Sequence, residues 1–405
     1  MGNIAKKKWL KPRHRVVRNL VYMILYPYSK WRYGLVVDKF KAQEKRPYLI
    51  LLNHQTPFDQ FFVGMSISGP VYYMASEDLF SNGWVSSLIR WLIAPIPIRK
   101  QTTDVTAVKT CLRVAKEGGT IAIAPEGNRT YSGKTEYMNP AIAPLAKKLG
   151  LPILLYRIEG GYGAEPRWSD CIRKGKVHAF VSRVLQPSDY AALTDYELYD
   201  IIKSELYVNE GVADGIFRSN KRAEYLERAV YVCPFCGLSR FESHGNAVTC
   251  LSCNRAIEYG EDKRLSGKGF DFPFRFMTEW YDYQADFINK TDVTQFTQTP
   301  LFTDTANVTE VILQKKKIPL LENAVLRLYG DRMTVLEDTD APLVFPFDET
   351  SAVTVLGRNK LNVYFNGHVY QFKGGKRFNA LKYVHIYHRY KNISKGDADG
   401  SFLGL

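Results

Sequence analysis

Between about residues 47 and 210, short apolar runs alternate with stretches of helical period. The runs "PYLILL" (47–52), "PVYYMA" (70–75), "APIPI" (94–98), "TIAIA" (120–124), "LPILLYRI" (151–158) and "KVHAFVSRVL" (176–185) are bounded by turn residues and predict strands. Between them, Val105, Val108, Leu112 and Ala115 mark one face of a helix running from a Thr103 cap to Lys116, with Gly118-Gly119 as its stop. Asn139-Pro140 opens another, with Ile142, Leu145, Ala146 and Leu149 turned inward and Gly150 ending it. "TDYE" (194–197) has the form of a capping box and starts a helix to about residue 208. This alternation predicts an α/β domain with a mixed, mostly parallel sheet flanked by helices.

Further on the period changes. A charged stretch, "SNKRAEYLERAV" (219–230), predicts a helix leading into a cysteine-bearing module that ends near 260. Residues 261–305 are aromatic and polar without a clear period and read as a linker with some packing. Seven strand-like runs follow, from "VTEVILQ" to "HVYQFK", and then one helix at 376–391. That order is the plan of a small all-β barrel or sandwich closed by a helix, and the barrel is the expectation. The predicted organisation is an amphipathic segment at 1–37, an α/β domain at 38–218, a helix and cysteine module at 219–260, the linker at 261–305, the β domain at 306–392 and a tail at 393–405.

Composition is that of a globular chain, with 45% apolar and 24% charged residues among 405, but the charge is skewed. Lys and Arg number 55 against 41 Asp and Glu, a net charge of +14. The first 37 residues hold Lys6, Lys7, Lys8, Lys11, Arg13, Arg15, Arg18, Lys30 and Arg32 and no acidic residue. Trp9, Trp31, Tyr26, Tyr28 and several aliphatics interleave with them, and positions 17, 20, 21 and 24 recur at helical spacing. Such a segment predicts a helix lying in the headgroup layer of an anionic membrane. The longest apolar run before Pro27 is far short of the roughly 20 residues of a spanning helix. No small-residue cleavage site follows it, and Lys6 breaks the myristoylation pattern after Gly2. With cysteines that imply no disulfide framework, these features place the chain, as an expectation, on the cytoplasmic face of a membrane as a peripheral protein.

The candidate chemistry starts at "LNHQTPFDQ" (52–60), directly after the first strand. Residues five apart on a helix do not face each other, so His54 and Asp59 can meet only if the helix begins between them. Thr56 suits the cap and Pro57 the first helical position, which leaves His54 in the turn with Asp59 reaching back. A carboxylate on one imidazole nitrogen leaves the other as a base. A second strand-end loop, "PEGNRTYSGK" (125–134), carries Glu126, Gly127, Asn128, Arg129, Thr130 and Lys134, and Arg99 and Lys100 follow a third strand. Strand ends of open α/β sheets are where ligands bind, and arginine suits a phosphate.

These motifs resemble those of the glycerolipid acyltransferases typified by 1-acylglycerol-3-phosphate acyltransferase. Asn53, His54 and Asp59 match the family's first motif, Pro125, Glu126, Gly127, Arg129 and Thr130 its third, and Leu151, Pro152 and Ile153 its fourth, over roughly residues 45–160. Asn128 stands where the family usually has threonine, Ala124 where it has phenylalanine, and the second motif ends in Arg99-Lys100 after Pro97. The resemblance implies transfer of a fatty acyl chain from acyl-CoA or acyl carrier protein to the hydroxyl of a lysophospholipid, most simply lysophosphatidic acid. In it, His54 oriented by Asp59 would act as base, Arg129 with Arg99 or Lys100 would hold the acceptor phosphate, and Glu126 would orient its loop.

Cys233-x2-Cys236, thirteen residues, and Cys250-x2-Cys253 have the spacing of a four-cysteine zinc ribbon, with one structural zinc expected per chain. Residues 231–260 carry no excess of positive charge, which argues against a nucleic-acid-binding zinc protein. The C-terminal β domain has the pattern of a pleckstrin-homology-type fold, with Lys315, Lys316, Lys317, Arg358, Lys360 and Lys376 as candidates for headgroup contact. An inactive lipid- or partner-binding scaffold is the alternative reading, against which the intact His54–Asp59 pair stands.

Overall fold

The computed structural model describes residues 8–41, 47–98, 104–312, 315–397 and 402–404. The chain divides into two compact units, one of Met1–Thr130, Lys134–Ala164 and Lys174–Gly215, the other of Tyr131–Gly133, Glu165–Arg173 and Ile216–Leu405.

The first unit is a seven-stranded sheet with helices. In chain order its elements are α1 (Pro12–Tyr33), β1 (Leu35–Val37), β2 (Leu49–Leu52), α2 (Asp59–Ser66), β3 (Val71–Ser76), α3 (Trp84–Ile93), β4 (Ile96–Ile98), α4 (Val105–Lys116) and β5 (Thr120–Ile123). Then come α5 (Ile142–Leu149), β6 (Ile153–Glu159), the single turn α6 (Gly161–Ala164), β7 (Val177–Leu185), the single turn α7 (Pro187–Tyr190) and α8 (Asp195–Leu206). The strand order is β1-β7-β6-β2-β5-β3-β4, parallel throughout except for the antiparallel β6–β7 pair. Each of the six apolar runs contains a strand. β1 is an addition: three residues directly after a helix leave too little pattern to read, and it pairs with β7 from Leu35↔Val177 onward.

β2 is central, and Leu49, Ile50 and Leu51 are buried on both faces, as an unbroken apolar run in a parallel sheet should be. The helix ends follow local chemistry. The Asp104 carboxylate caps α4 by accepting from Ala107 N–H at 3.0 Å, whereas the expected cap, Thr103, lies outside the described residues. Gly150, at φ +61°, ends α5 in the left-handed conformation that glycine adopts without strain. The box opening α8 forms as read, with Thr194 Oγ1 accepting from Glu197 N–H and Glu197 Oε2 accepting from Thr194 N–H.

The second unit begins with the hairpin β8 (Val232–Cys233) and β9 (Gly237–Leu238). A four-stranded antiparallel sheet follows, made of β10 (Phe241–His244), β11 (Ala247–Cys250), β12 (Ala256–Tyr259) and β13 (Leu265–Gly267). After α9 (Met277–Lys290) come β14 (Phe302–Ile312), β15 (Lys316–Leu328), β16 (Arg332–Val335), β17 (Leu343–Pro346), β18 (Thr350–Leu356), β19 (Lys360–Phe365) and β20 (His368–Gly374), and then α10 (Leu381–Ser394). These strands form one antiparallel sheet ordered β17-β16-β15-β14-β20-β19-β18. It is a half-barrel: β17 and β18 stay as edges, and α10 packs beside β18, where Tyr387 donates its hydroxyl to Thr350 O at 2.9 Å.

Three expectations change here. Residues 219–230 form no α-helix, only a 3-10 turn at Leu226–Arg228, with Tyr225 at φ +72°. Their backbone is claimed by the neighbouring sheet, through Ala223 N–H to Gly245 O and Tyr225 N–H to Ser243 Oγ, and Leu226, Glu227 and Arg228 are all buried. The supposed linker holds α9, whose Met277, Trp280, Tyr281, Gln284 and Ile288 are buried at helical spacing. Arg358, offered as a headgroup contact, is committed to Glu165 and Asp170.

Candidate active site

Two neighbouring parallel strands build the site. Leu51 of β2 sits opposite Ile123 of β5, so the loops leaving both C-terminal ends emerge side by side. One loop holds His54 and the other Glu126. The His54 backbone N–H donates to Glu126 Oε1 at 2.8 Å, which joins the two. On the other side of β2, Asn53 is tied to β6 by donating to Ile158 O at 2.9 Å and accepting from Ile158 N–H at 2.8 Å. His54 is thus pinned between two strand ends.

The ring is held as firmly. α2 begins at Asp59 itself, two residues later than a Thr56 cap implies, and the Asp59 carboxylate folds back over the turn. It accepts from His54 Nδ1 at 2.8 Å, Gln55 N–H at 2.6 Å, Thr56 N–H at 3.0 Å and the Thr56 hydroxyl at 2.7 Å. Thr56 is therefore a partner of the carboxylate, and its oxygen also accepts from Phe58 N–H at 3.0 Å. An oxygen that already accepts from a backbone N–H faces Nδ1, so Nδ1 carries the proton and Nε2 keeps its lone pair. Asp59 is 1% exposed and the His54 side chain 25%, so the acid is sealed while the imidazole meets solvent.

Glu126 is 9% exposed. Burial pushes its carboxyl up to about 8; the His54 N–H bond opposes that, and the charges of Asp59 and Glu136 add to it. Gly127, next in the chain, takes φ +70° in a tight turn closed by its N–H to Ala124 O at 3.0 Å. The same loop carries Asn128 and the buried Arg129 and Thr130. Arg99 and Lys100 lie outside the described residues. The structure therefore joins His54, Asp59 and Glu126 and shows Asn53, Gln55 and Thr56 as the groups that hold them; the sequence points to Asn53 as a motif match and to Thr56 as a cap, but not to Gln55. The short spacing of residues 53–59 was the signal for those three.

In the second unit, Cys233, Cys236, Cys250 and Cys253 converge, with all four Sγ atoms within 4.8 Å of one another. A tetrahedral zinc at about 2.3 Å from each sulfur needs edges of roughly 3.8 Å, and Cys233 and Cys253 stand 3.9 Å apart. The residue after each second cysteine, Gly237 or Asn254, has positive φ (74° and 57°), which turns the chain tightly at both ends of the cluster. Backbone N–H groups of Phe235 and Cys236 point at Cys233, and that of Arg255 at Cys253, a setting for metal-bound thiolates. This donor set can hold a metal ion.

The Acyltransferase family model matches residues 35–158. A 1-acyl-sn-glycerol-3-phosphate acyltransferase of Bacillus subtilis (strain 168) is 24% identical over 163 residues, 40% of this chain and 78% of that protein. A chloroplastic 1-acyl-sn-glycerol-3-phosphate acyltransferase of Brassica napus is 22% identical over 153 residues, 37% of this chain and 44% of that protein. Among solved structures, the 1-acyl-sn-glycerophosphate (LPA) acyltransferase of Thermotoga maritima aligns with a TM-score of 0.41 at 21% identity, over 48% of this chain and 78% of that one. Residues 35–158, which hold His54, Asp59, Glu126 and Arg129, form an acyltransferase-family domain, and the protein is an acyltransferase-like enzyme.

Proposed function

We propose that the protein moves a fatty acyl chain from a thioester, acyl-CoA or acyl carrier protein, to the free hydroxyl of a lysophospholipid, with lysophosphatidic acid as acceptor and phosphatidic acid as product. His54 Nε2 takes the hydroxyl proton as the oxygen attacks the thioester carbonyl. Asp59 holds the resulting imidazolium, and the proton passes to the departing thiolate as the carbon–sulfur bond breaks. General base catalysis of this kind contributes roughly 10²–10⁴-fold. Arg129, with Arg99 or Lys100, grips the acceptor phosphate. Glu126, held neutral by burial, fixes the two loops against each other through the His54 N–H. The observation that carries this reading is the sealed Asp59 carboxylate bonded to Nδ1 of a solvent-facing histidine. Purified protein and its His54→Ala variant, assayed with labelled acyl-CoA against a panel of lysophospholipids, test it. The wild type should acylate lysophosphatidic acid, and turnover should fall by at least about 100-fold in the variant. Near-wild-type turnover in the variant refutes the mechanism.

The acceptor lives in a bilayer, and the first unit offers a surface for one. α1 turns Val16, Leu20, Met23, Ile24 and Trp31 outward, and α3, packed against α1, adds Trp84, Leu88 and Trp91. Met23 is 72% and Trp84 76% exposed. Apolar side chains clustered this way, with Arg13, Arg15, Lys30 and Arg32 on α1, fit the interfacial layer of an anionic membrane. No helix among the described residues is long and apolar enough to cross a membrane. The working location is thus peripheral, on the cytoplasmic face. The four cysteines hold one structural zinc. The half-barrel with its closing helix acts as a pleckstrin-homology-like module, with Lys315 and Lys316 at the β14–β15 turn as its outward cations, while Lys317 is half-buried and donates to Gln371.

A further inference from the structure

The loop that carries Glu126 and Arg129 does not stay in the first unit. It belongs there through Thr130, residues 131–133 belong to the second unit, and Lys134 is back in the first. Lys134 bridges Asn209, and Thr135 N–H donates to Val208 O at 2.9 Å. The three residues given over to the second unit are held firmly inside it. Tyr131 is fully buried and is part of that unit's hydrophobic core. Its hydroxyl donates to Arg358 O at 3.2 Å, in the turn between β18 and β19. The Arg167 guanidinium lies 4.4 Å over the Tyr131 ring and donates to Gly357 O at 3.0 Å and Val355 O at 3.2 Å. Ring and cation thus fasten to the same strand end. Ser132 is also fully buried, and its carbonyl accepts from the hydroxyl of Thr278, in the first turn of α9, at 3.0 Å.

The other end of the loop is fixed as well, since Glu126 accepts from His54 N–H and Gly127 N–H closes its turn on Ala124 O. Only Asn128, Arg129 and Thr130 lie between these two fixed points. Successive Cα atoms are about 3.8 Å apart, so the Cα of Arg129 lies within about 8 Å of that of Tyr131. A side chain on so short a span takes its place from both ends. We propose that Tyr131 is a positioning residue for the acceptor: anchored in the second unit, it holds Arg129 ready for a phosphate before one arrives. Ordering the loop in advance removes a cost that binding would otherwise carry. The inference rests on the reading of Arg129 as the group that grips the acceptor phosphate, and it gives residues of the second unit a part in acceptor affinity.

Steady-state kinetics of the full chain with lysophosphatidic acid and acyl-CoA, each varied against a saturating amount of the other, test it. Tyr131→Phe takes away the hydroxyl and keeps a ring under Arg167, and Thr278→Val takes away the donor to Ser132 O. Each should raise the KM for lysophosphatidic acid about three- to tenfold and leave that for acyl-CoA as in the wild type. Arg129→Ala should raise the acceptor KM further. Adding Tyr131→Phe to it should make nothing worse, because Tyr131 acts through Arg129. Tyr387→Phe is the matched control. It removes a buried hydroxyl's 2.9 Å bond to Thr350 O, at the opposite end of β18, and should lower the melting temperature about as much without moving the acceptor KM. An acceptor KM unchanged in Tyr131→Phe and Thr278→Val, while Arg129→Ala raises it, overturns the inference and leaves the role of Arg129 standing. So does an equal rise in Tyr387→Phe, or an additive loss in the double variant. If Arg129→Ala itself leaves the acceptor KM unchanged, the phosphate reading of Arg129 falls and the inference falls with it.

Discussion

At Glu126 burial and charge oppose each other, and stability should record it. The folded protein holds this carboxyl protonated to about pH 8, while an unfolded glutamate gives up its proton near 4.5. The native state therefore binds the extra proton between those values. Its contribution is fully present below the unfolded value and is lost as pH rises through about 8. At about 1.4 kcal/mol per unit, the effect is several kcal/mol. A Glu126→Gln variant keeps an oxygen to accept from His54 N–H and has nothing to ionise. It should match the wild type near pH 5 and melt higher than it at pH 9, with a flatter pH profile between. Parallel pH slopes in thermal or urea melts of the two proteins would place a charged Glu126 in the fold and sink the idea. The pairing of His54 with Asp59 was legible because five residues and a helix start leave few geometries. The Glu126 contact was legible only as two loops at strand ends, since nothing local in sequence says that β2 and β5 are neighbours. The hydroxyl of Thr56 was misassigned because a cap and a carboxylate partner call for the same residue type.

Among the elements, α1 has two jobs that a deletion would confuse. Its inner side is part of the fold: His14 Nδ1 lies 3.0 Å from the Tyr72 hydroxyl, Arg18 donates to Gly64 O and Ile67 O, and Tyr33 packs on Phe58 and Phe62. Removing the helix would uncover that core. Substituting outward residues is cleaner, so Met23→Ser with Trp84→Ser should leave the melting temperature unchanged and lower partition onto anionic vesicles several-fold. Sedimentation that shows equal binding would exclude this face as the anchor. The cysteine module tests another element. Cys233 and Cys250 are buried in the second unit's core, and Trp280 donates to Val232 O at 2.9 Å beside them. Metal analysis should find one zinc per chain, and strong chelation should lower the melting temperature, since structural zinc contributes on the order of 10 kcal/mol in small modules. A zinc-free protein that melts as before would remove the metal from the picture. α9 shows what pattern reading can lose. The stripe of Met277, Trp280, Tyr281, Gln284 and Ile288 is present in the sequence, but the dense aromatics around it hide the period. α10 (Leu381–Ser394) is legible in the sequence, at 376–391, and only its bounds shift, because it is covered on several sides and no single apolar stripe marks where it begins.

On the scale of the whole chain, the boundary between the units is not a point in the sequence. Residues 131–133 and 165–173 are embedded among those of the first unit but belong to the second, and no composition shift announces it. What holds them is specific. Trp168 is fully buried against Tyr259, and Arg173 lies between those two rings at 4.9 and 4.6 Å. Arg228, 2% exposed, makes two 2.9 Å bonds to Asp170 and a third, of 3.0 Å, to Trp168 O. Tyr131 donates to Arg358 O, and Thr278 to Ser132 O. A fragment of residues 216–405 takes in every module that the sequence places after the α/β domain, yet it lacks Tyr131, Ser132, Trp168, Asp170 and Arg173. It costs Arg228 its ion pair with Asp170 and its bond to Trp168 O and leaves it only the bond to Lys376 O, a loss on the order of 3–5 kcal/mol if the cation stays desolvated. Against total stabilities of about 5–15 kcal/mol, that is enough to leave the fragment marginal. Urea melts of fragment 216–405 should therefore show a lower midpoint than the same unit in the full chain, followed through the indole of Trp280. Arg228→Met discriminates the cause. In the full chain it removes a satisfied cation and should destabilise, whereas in the fragment it removes a stranded one and should stabilise. If the substitution has the same sign in both, Asp170 and Trp168 are not what the fragment misses, and residues 165–173 are a surface excursion of the chain.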